Sequence, residues 1–180
     1  MVTSHFSSDT VDNLFERLDK DRKLAVVLDK GAVRKFYDLS MAGGKEDRTR
    51  ADWFYGGSVL YAVKDYKGAI ANFTQMGERC DSIGQIASYN LGFSYIQTKD
   101  KGSAMAAFKE ASQLHFDDAI AEDAFFNYAK LAFDINSDIS AFNEYLYRYS
   151  DARKGEVIYS YIALAALQNR DYEGAVAAYD

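Results

Sequence analysis

Few side chains in this chain could do covalent or acid–base chemistry, and their spacing argues against each chemistry in turn. The two histidines, His5 and His115, lie far apart, and Cys80 is the single cysteine, so no zinc-ligand spacing exists. His115 beside Asp117 and Asp118 offers three metal-binding groups in one stretch. We read that stretch as a solvated joint between helices. Asp19-Lys20-Asp21 opens like a calcium loop, but Leu24 stands where the sharp turn needs glycine and Lys30 where a bidentate glutamate belongs. Gly43-Gly44-Lys45 lacks the earlier glycine of a phosphate loop, and no Gly-x-Gly-x-x-Gly or Gly-x-Ser-x-Gly occurs. Glu122 and Asp123 could pair as acid and base. They are read instead as helix-start charges, favoured by the positive end of the helix dipole. Cys80 has no disulfide partner and is read as a small apolar packing residue. No catalytic residue, cofactor or metal is assigned, and the chain is not expected to be an enzyme.

What remains is the set of elements that would carry any other function. The chain has 180 residues, 48% of them hydrophobic and 27% charged, the balance of a folded domain. It holds no proline, so the main helix breaker is missing, while 14 Tyr and 12 Phe supply large rings. A net charge of −6 gives no phosphate-neutralising surface, which argues against nucleic acid as the main partner. The longest apolar stretch, Val157 to Leu167, is too short to span a bilayer, which takes ~20 residues.

An internal repeat organises these residues. Ala32, Ala69, Ala104, Ala141 and Ala175 recur at separations of 37, 35, 37 and 34 residues. An aromatic follows each by four residues: Phe36, Phe73, Phe108, Tyr145 and Tyr179. Alanine and ring therefore share one helix face. A second phrase precedes the first in step with it. Its small residues are Gly57, Gly92, Ala129 and Ala163, spaced by 35, 37 and 34. Each unit thus predicts two amphipathic helices, with the small residue of one admitting a large residue of the other. Polar turns are expected at Lys64-Asp65, Lys99-Asp100-Lys101, Asn136-Ser137-Asp138 and Asn169-Arg170-Asp171.

This pattern resembles the tetratricopeptide repeat, a helix–turn–helix unit of 34 residues. The first unit matches through Trp53, Gly57, Leu60, Ala69, Phe73 and Met76. The second matches through Leu91, Gly92, Tyr95, Ala104, Phe108 and Ala111. The third matches through Phe125, Ala129, Ala141 and Tyr145, with Arg148 replacing the last small residue. The fourth matches through Tyr159, Ala163, Ala175 and Tyr179. The resemblance implies an all-α fold, a right-handed α-α superhelix of antiparallel helix pairs, with units at 50–83, 85–118, 122–155 and 156–180. Where the family often has proline after the second helix, this chain has Asp81, Phe116 and Arg153, so the joints are expected to be less sharply punctuated. Residues 1–47 read as divergent helices, a degenerate repeat ending in a loop at Ala42-Gly43-Gly44-Lys45.

The family's implied function is protein–protein interaction, with first helices lining a concave groove. The matching groove positions here include Phe54, Tyr61, Tyr89, Phe93, Phe126, Lys130 and Phe133. The lysine-and-asparagine clamp that chaperone-binding members use is replaced by Phe54, Ser58, Tyr89 and Phe93, so a chaperone-tail ligand is not expected. An apolar or aromatic-containing peptide or protein segment is expected instead. The competing expectation is a structural spacer in which these rings only pack. A unit beginning at 156 is expected to run to about 189, so the sequence reads as a piece of a longer bacterial repeat protein. Its end is expected to expose Tyr172, Val176 and Tyr179 and to self-associate. The stretch Asn143 to Tyr149 looks like repeat tails of bacterial envelope proteins of this family, which implies an envelope or periplasmic setting.

Overall fold

The computed structural model describes residues 48–149 and 154–178. The degenerate repeat at 1–47, its loop, and Tyr179 lie outside the described residues. Within them the chain is all-α, with no strand. The helices are α1 (Arg50–Ala62), α2 (Tyr66–Phe73, followed by a 3-10 turn at Thr74–Met76), α3 (Ser82–Gln97) and α4 (Lys101–Ser112). They continue as α5 (Asp118–Asn136), α6 (Ser140–Arg148), α7 (Gly155–Gln168) and α8 (Tyr172–Ala177). Each helix packs on the next in sequence, and α1 also packs on α3, and α3 on α5.

Aspartate does the punctuation that proline would otherwise do. Asp65, Asp81, Asp100, Asp117 and Asp171 each accept a backbone N–H from the first turn of the helix that follows. Thr49 and Asp52 form a capping box ahead of α1. Each such cap is worth about 1 kcal/mol. The stops are equally regular. Lys64, Lys99 and Arg170 take left-handed φ values of 66°, 66° and 60°. The amide of each following aspartate then reaches back to Leu60, Tyr95 or Ala166. This is the Schellman geometry, with a non-glycine residue in the left-handed position. The turn after α5 differs. There the helix runs on to Asn136, Ser137 takes φ 54°, and Asp138 accepts the Ser140 N–H.

Paired helices interlock by size. A Cβ added to Gly57 would stand 2.6 Å from the Phe73 ring, and one added to Gly92 would stand 2.6 Å from the Phe108 ring. Both rings are fully buried. In the third pair Ala129 and Tyr145 belong to one apolar cluster, and both are buried at 0% exposure. Burying each ring contributes roughly 1.5–3 kcal/mol. Three clusters follow along the chain: one on Leu60, Ala69 and Phe73, one on Ala104, Phe108 and Leu131, and one on Phe125, Phe142, Tyr145 and Ile158.

Polar side chains stitch the joints. Arg50 pairs bidentately with Asp81 at 2.7 Å through both terminal nitrogens, and its Nε donates to the Glu78 carbonyl. The Arg50 guanidinium, then the Gly84 N–H, hold the Asp81 carboxyl below the usual carboxylate range. The expected looseness at this joint is therefore corrected: Asp81 caps α3 and anchors α1 at once. Gly84 is required here, because any Cβ would meet the Arg79 backbone at 2.6 Å. Arg79 donates to Ser88 on α3 and to Glu110 on α4. Gln85, wholly buried, donates to the carbonyls of Leu114 and Asp117, while its Oε1 accepts the Asp117 N–H at 2.8 Å. One side chain thus satisfies both strands of polar demand in the loop between α4 and α5. Truncating it leaves buried carbonyls without partners, at a cost of about 1–3 kcal/mol.

The two kinds of glycine predict opposite outcomes. Gly92→Val should lose about 1–3 kcal/mol through overpacking against Phe108. Gly102 sits on α4 with only Asp100 near its missing Cβ, at 3.9 Å. Gly102→Ala should therefore gain about 0.4–1 kcal/mol by restricting the unfolded chain. Urea unfolding of both variants checks the pair.

Candidate partner-binding surface

The first helices α1, α3 and α5 carry the expected groove residues. Phe54 on α1 is half-buried, edge-on to Tyr55 at 5.4 Å and tilted over Phe73 at 6.4 Å. Tyr61, at the end of α1, packs edge-on to Tyr66 at 5.9 Å. On α3, Tyr89 and Phe93 meet edge-to-face at 5.0 Å, and Phe93 meets Phe108 in the same way at 5.0 Å. All four retain partial exposure. On α5, Phe126 leans on Tyr145 at 5.8 Å and lies under two ammonium groups, Lys154 Nζ at 4.8 Å and Lys130 Nζ at 5.8 Å. Such cation–π contacts are worth about 0.5–1 kcal/mol at exposed sites. Phe133 goes elsewhere. It is 7% exposed, packed on Phe142 at 6.1 Å and on Tyr161 of α7 at 5.3 Å.

Asp123 ties these helices together. It accepts the Tyr89 hydroxyl at 2.6 Å from α3, Lys154 Nζ at 2.6 Å from the start of α7, and Asn127 Nδ2 at 2.9 Å from its own helix. Burial pushes its carboxyl up, but the Lys154 and Tyr89 hydrogen bonds, the Lys154 charge and Asn127 outweigh that and hold it below the usual range. Burial first, then Asp123, pushes the Tyr89 phenol far above its ordinary value, so it remains a donor. Glu122 plays a parallel part, accepting the Tyr145 hydroxyl at 2.7 Å. The reading of Glu122 and Asp123 as helix-start charges is thereby corrected. Helix α5 begins at Asp118, so both lie beyond its first turn, where the dipole effect has faded. They bond other helices instead. Sequence pattern gave no pointer to Lys154 or Gln85, whose partners lie 31 and about 30 residues away.

The other reactive side chains sit apart from this face. Cys80 is exposed in the loop between α2 and α3, so its reading as a packing residue is corrected. His115 Nδ1 lies 3.6 Å from Asp118 Oδ1 in an exposed joint. Among the described residues no three His, Cys, Asp or Glu side chains converge as a metal site would require. No helix among them is long and apolar enough to cross a membrane. Comparison with family models, curated proteins and solved structures returned no match.

Asp123 sets a pH dependence. Its folded pKa lies below its unfolded value, so its contribution is complete above about pH 4 and is lost as pH falls through the folded value. Asp123→Asn should cost about 1–3 kcal/mol at pH 7, and the gap to the parent should narrow as pH falls through the folded value. Thermal unfolding of both proteins from pH 7 to pH 2 measures it.

Proposed function

We propose that this chain is a protein-binding scaffold of tetratricopeptide-like units, stacked as a right-handed superhelix within a larger bacterial repeat protein. Its ligand is a peptide or protein segment carrying apolar or aromatic side chains, taken along the concave face of the first helices. The observation that carries this reading is the row of partly exposed rings Phe54, Tyr61, Tyr89, Phe93 and Phe126 on α1, α3 and α5. Phe54, Tyr89, Phe93 and Phe126 are braced by Phe73, Phe108 and Tyr145, and Tyr61 by Tyr66. Braced rings lose little entropy on binding, and aromatic anchors supply interface hot spots of about 2 kcal/mol or more. Lys130, over Phe126, adds a cationic edge to the apolar row.

A second reading, a structural spacer without a ligand, draws on different observations. Phe133 is spent in the core and the Tyr89 hydroxyl is spent on Asp123. In that reading the remaining rings only pack neighbouring helices.

Panning a random peptide library on the protein separates the two. A scaffold should enrich apolar or aromatic sequences, and Phe93→Ala or Tyr61→Ala should weaken them by roughly 30-fold. Failure to enrich any family of peptides would give the spacer reading, and binding unchanged in variants that remain folded would overturn the ring row as the site.

A further inference from the structure

Charge is unbalanced at one point of the ring row. Asp123 pairs with Lys154 Nζ at 2.6 Å, and Asp134 pairs with Lys101 Nζ at 3.2 Å. Lys130 lies between these acids on α5, one turn before Asp134 and two turns after Asp123. It forms no ion pair among the described residues. Its contact is the Phe126 ring, whose centroid lies 5.8 Å from Nζ. Lys154 Nζ stands over the same ring at 4.8 Å. Three ammonium groups thus gather at α5 with two carboxylates between them, in a chain whose net charge is −6.

The row therefore changes chemistry from one first helix to the next. On α3 the half-buried Tyr89 and Phe93 present rings. On α5 the Phe126 ring lies under two ammonium groups, so α5 adds positive charge to the row. The ring contact also restrains the Lys130 side chain, which lowers the rotamer entropy lost when it pairs. Lys130 follows Ala129 as Phe93 follows Gly92, so the two hold the same place in successive first helices. Those helices pack on each other, and the Tyr89 hydroxyl reaches Asp123 across the contact.

Helices packed in this way lie roughly 8–10 Å apart, axis to axis. Three residues of a polyproline II chain rise about 9 Å and bring the side chain back to the same face. A β-strand fits less well, since its same-face residues recur at roughly 7 and 13 Å. From this charge and this spacing we infer that the segment taken along the row carries an aspartate or glutamate three residues from an aromatic. The aromatic lies against Tyr89 and Phe93, and the carboxylate pairs with Lys130. This rests on the ring row being a binding face, and it names what the partner carries besides apolar side chains.

The test pans the full chain against random peptides of about fifteen residues with a fixed central Phe. Both peptide ends are blocked, so that any acid selected is a side chain. Asp or Glu should be enriched at the third residue from the Phe. Replacing that acid by its amide should weaken a selected peptide about tenfold. Lys130→Gln should weaken the acidic peptide by the same factor and leave its amide form unchanged. Lys130→Glu should turn the enrichment to Lys or Arg at that place. Lys130 is partly exposed and unpaired, so both variants should keep the parent circular dichroism and Tm. Should the reversed charge unfold the chain, Lys130→Met serves in its place. Peptides that bind in a Phe93-dependent way, yet show no acid preference or one indifferent to Lys130, overturn this inference and leave the ring row standing. Selection of an acid at the seventh residue, the spacing of a helical ligand, also overturns it. So does a demand for a free terminal carboxylate in unblocked peptides. Enrichment of no peptide at all removes the ring row and this inference together.

Discussion

The structure depends on one steric constraint: a side chain must be absent on one helix so that a ring can sit on its partner. Gly57 admits Phe73 and Gly92 admits Phe108, with no room for a single carbon between them. Close approach brings the paired helices into van der Waals contact along their length. It also buries the alanines Ala69 and Ala104 completely. Because each ring then presents its far side to the neighbouring first helix, the same contact fixes how one pair meets the next. Phe108 shows this most clearly, touching Gly92, Phe93 and Tyr89 on α3 while belonging to the cluster that includes Ala124 and Leu131 of α5.

Apolar interlocking alone is tolerant of slippage, since rings and methyls have no direction. Direction comes from the polar joints. Arg50 with Asp81, Arg79 with Glu110, and Gln85 with the 114–117 backbone each bridge about 30 residues of sequence. Each can be satisfied in only one alignment of the two elements. Gln85 is the strongest case, because it is wholly buried and any shift would leave several polar groups unpaired. The Asp123 hub does the same for the first helices, joining α3, α5 and the start of α7 at one carboxylate. A surface built from rings on those helices therefore inherits a fixed geometry from groups that would not touch a ligand.

The helix pairs were readable because their code is local. Small and large residues four apart report a helix face directly, and Asp after a basic residue reports a turn. Turn positions such as Lys64-Asp65 and Lys99-Asp100 fall between helices for that reason. The candidate surface was readable only in part. Phe54, Tyr89 and Phe93 are partly exposed, but Phe133 shares their spacing and is buried. Spacing names the face of a helix and says nothing of how deeply a neighbour covers it. Cys80 errs the other way: a residue type common in cores lies exposed here, because it falls in a loop.

The amino-acid sequence alone settles the helical class, the pairing of small with large residues and the turns, since each depends on contacts within a few residues or on a repeated spacing. The stacking of the helices decides that Asp123 is a junction, that Gln85 closes a loop and that Phe133 is core. Those outcomes depend on groups brought together across about 30 residues. Hydrogen-bond direction and burial arise only when helices are stacked, so no pattern along one helix encodes them. Polar partners on other helices are what turn Glu122 and Asp123, ordinary acids along the sequence, into ties between helices.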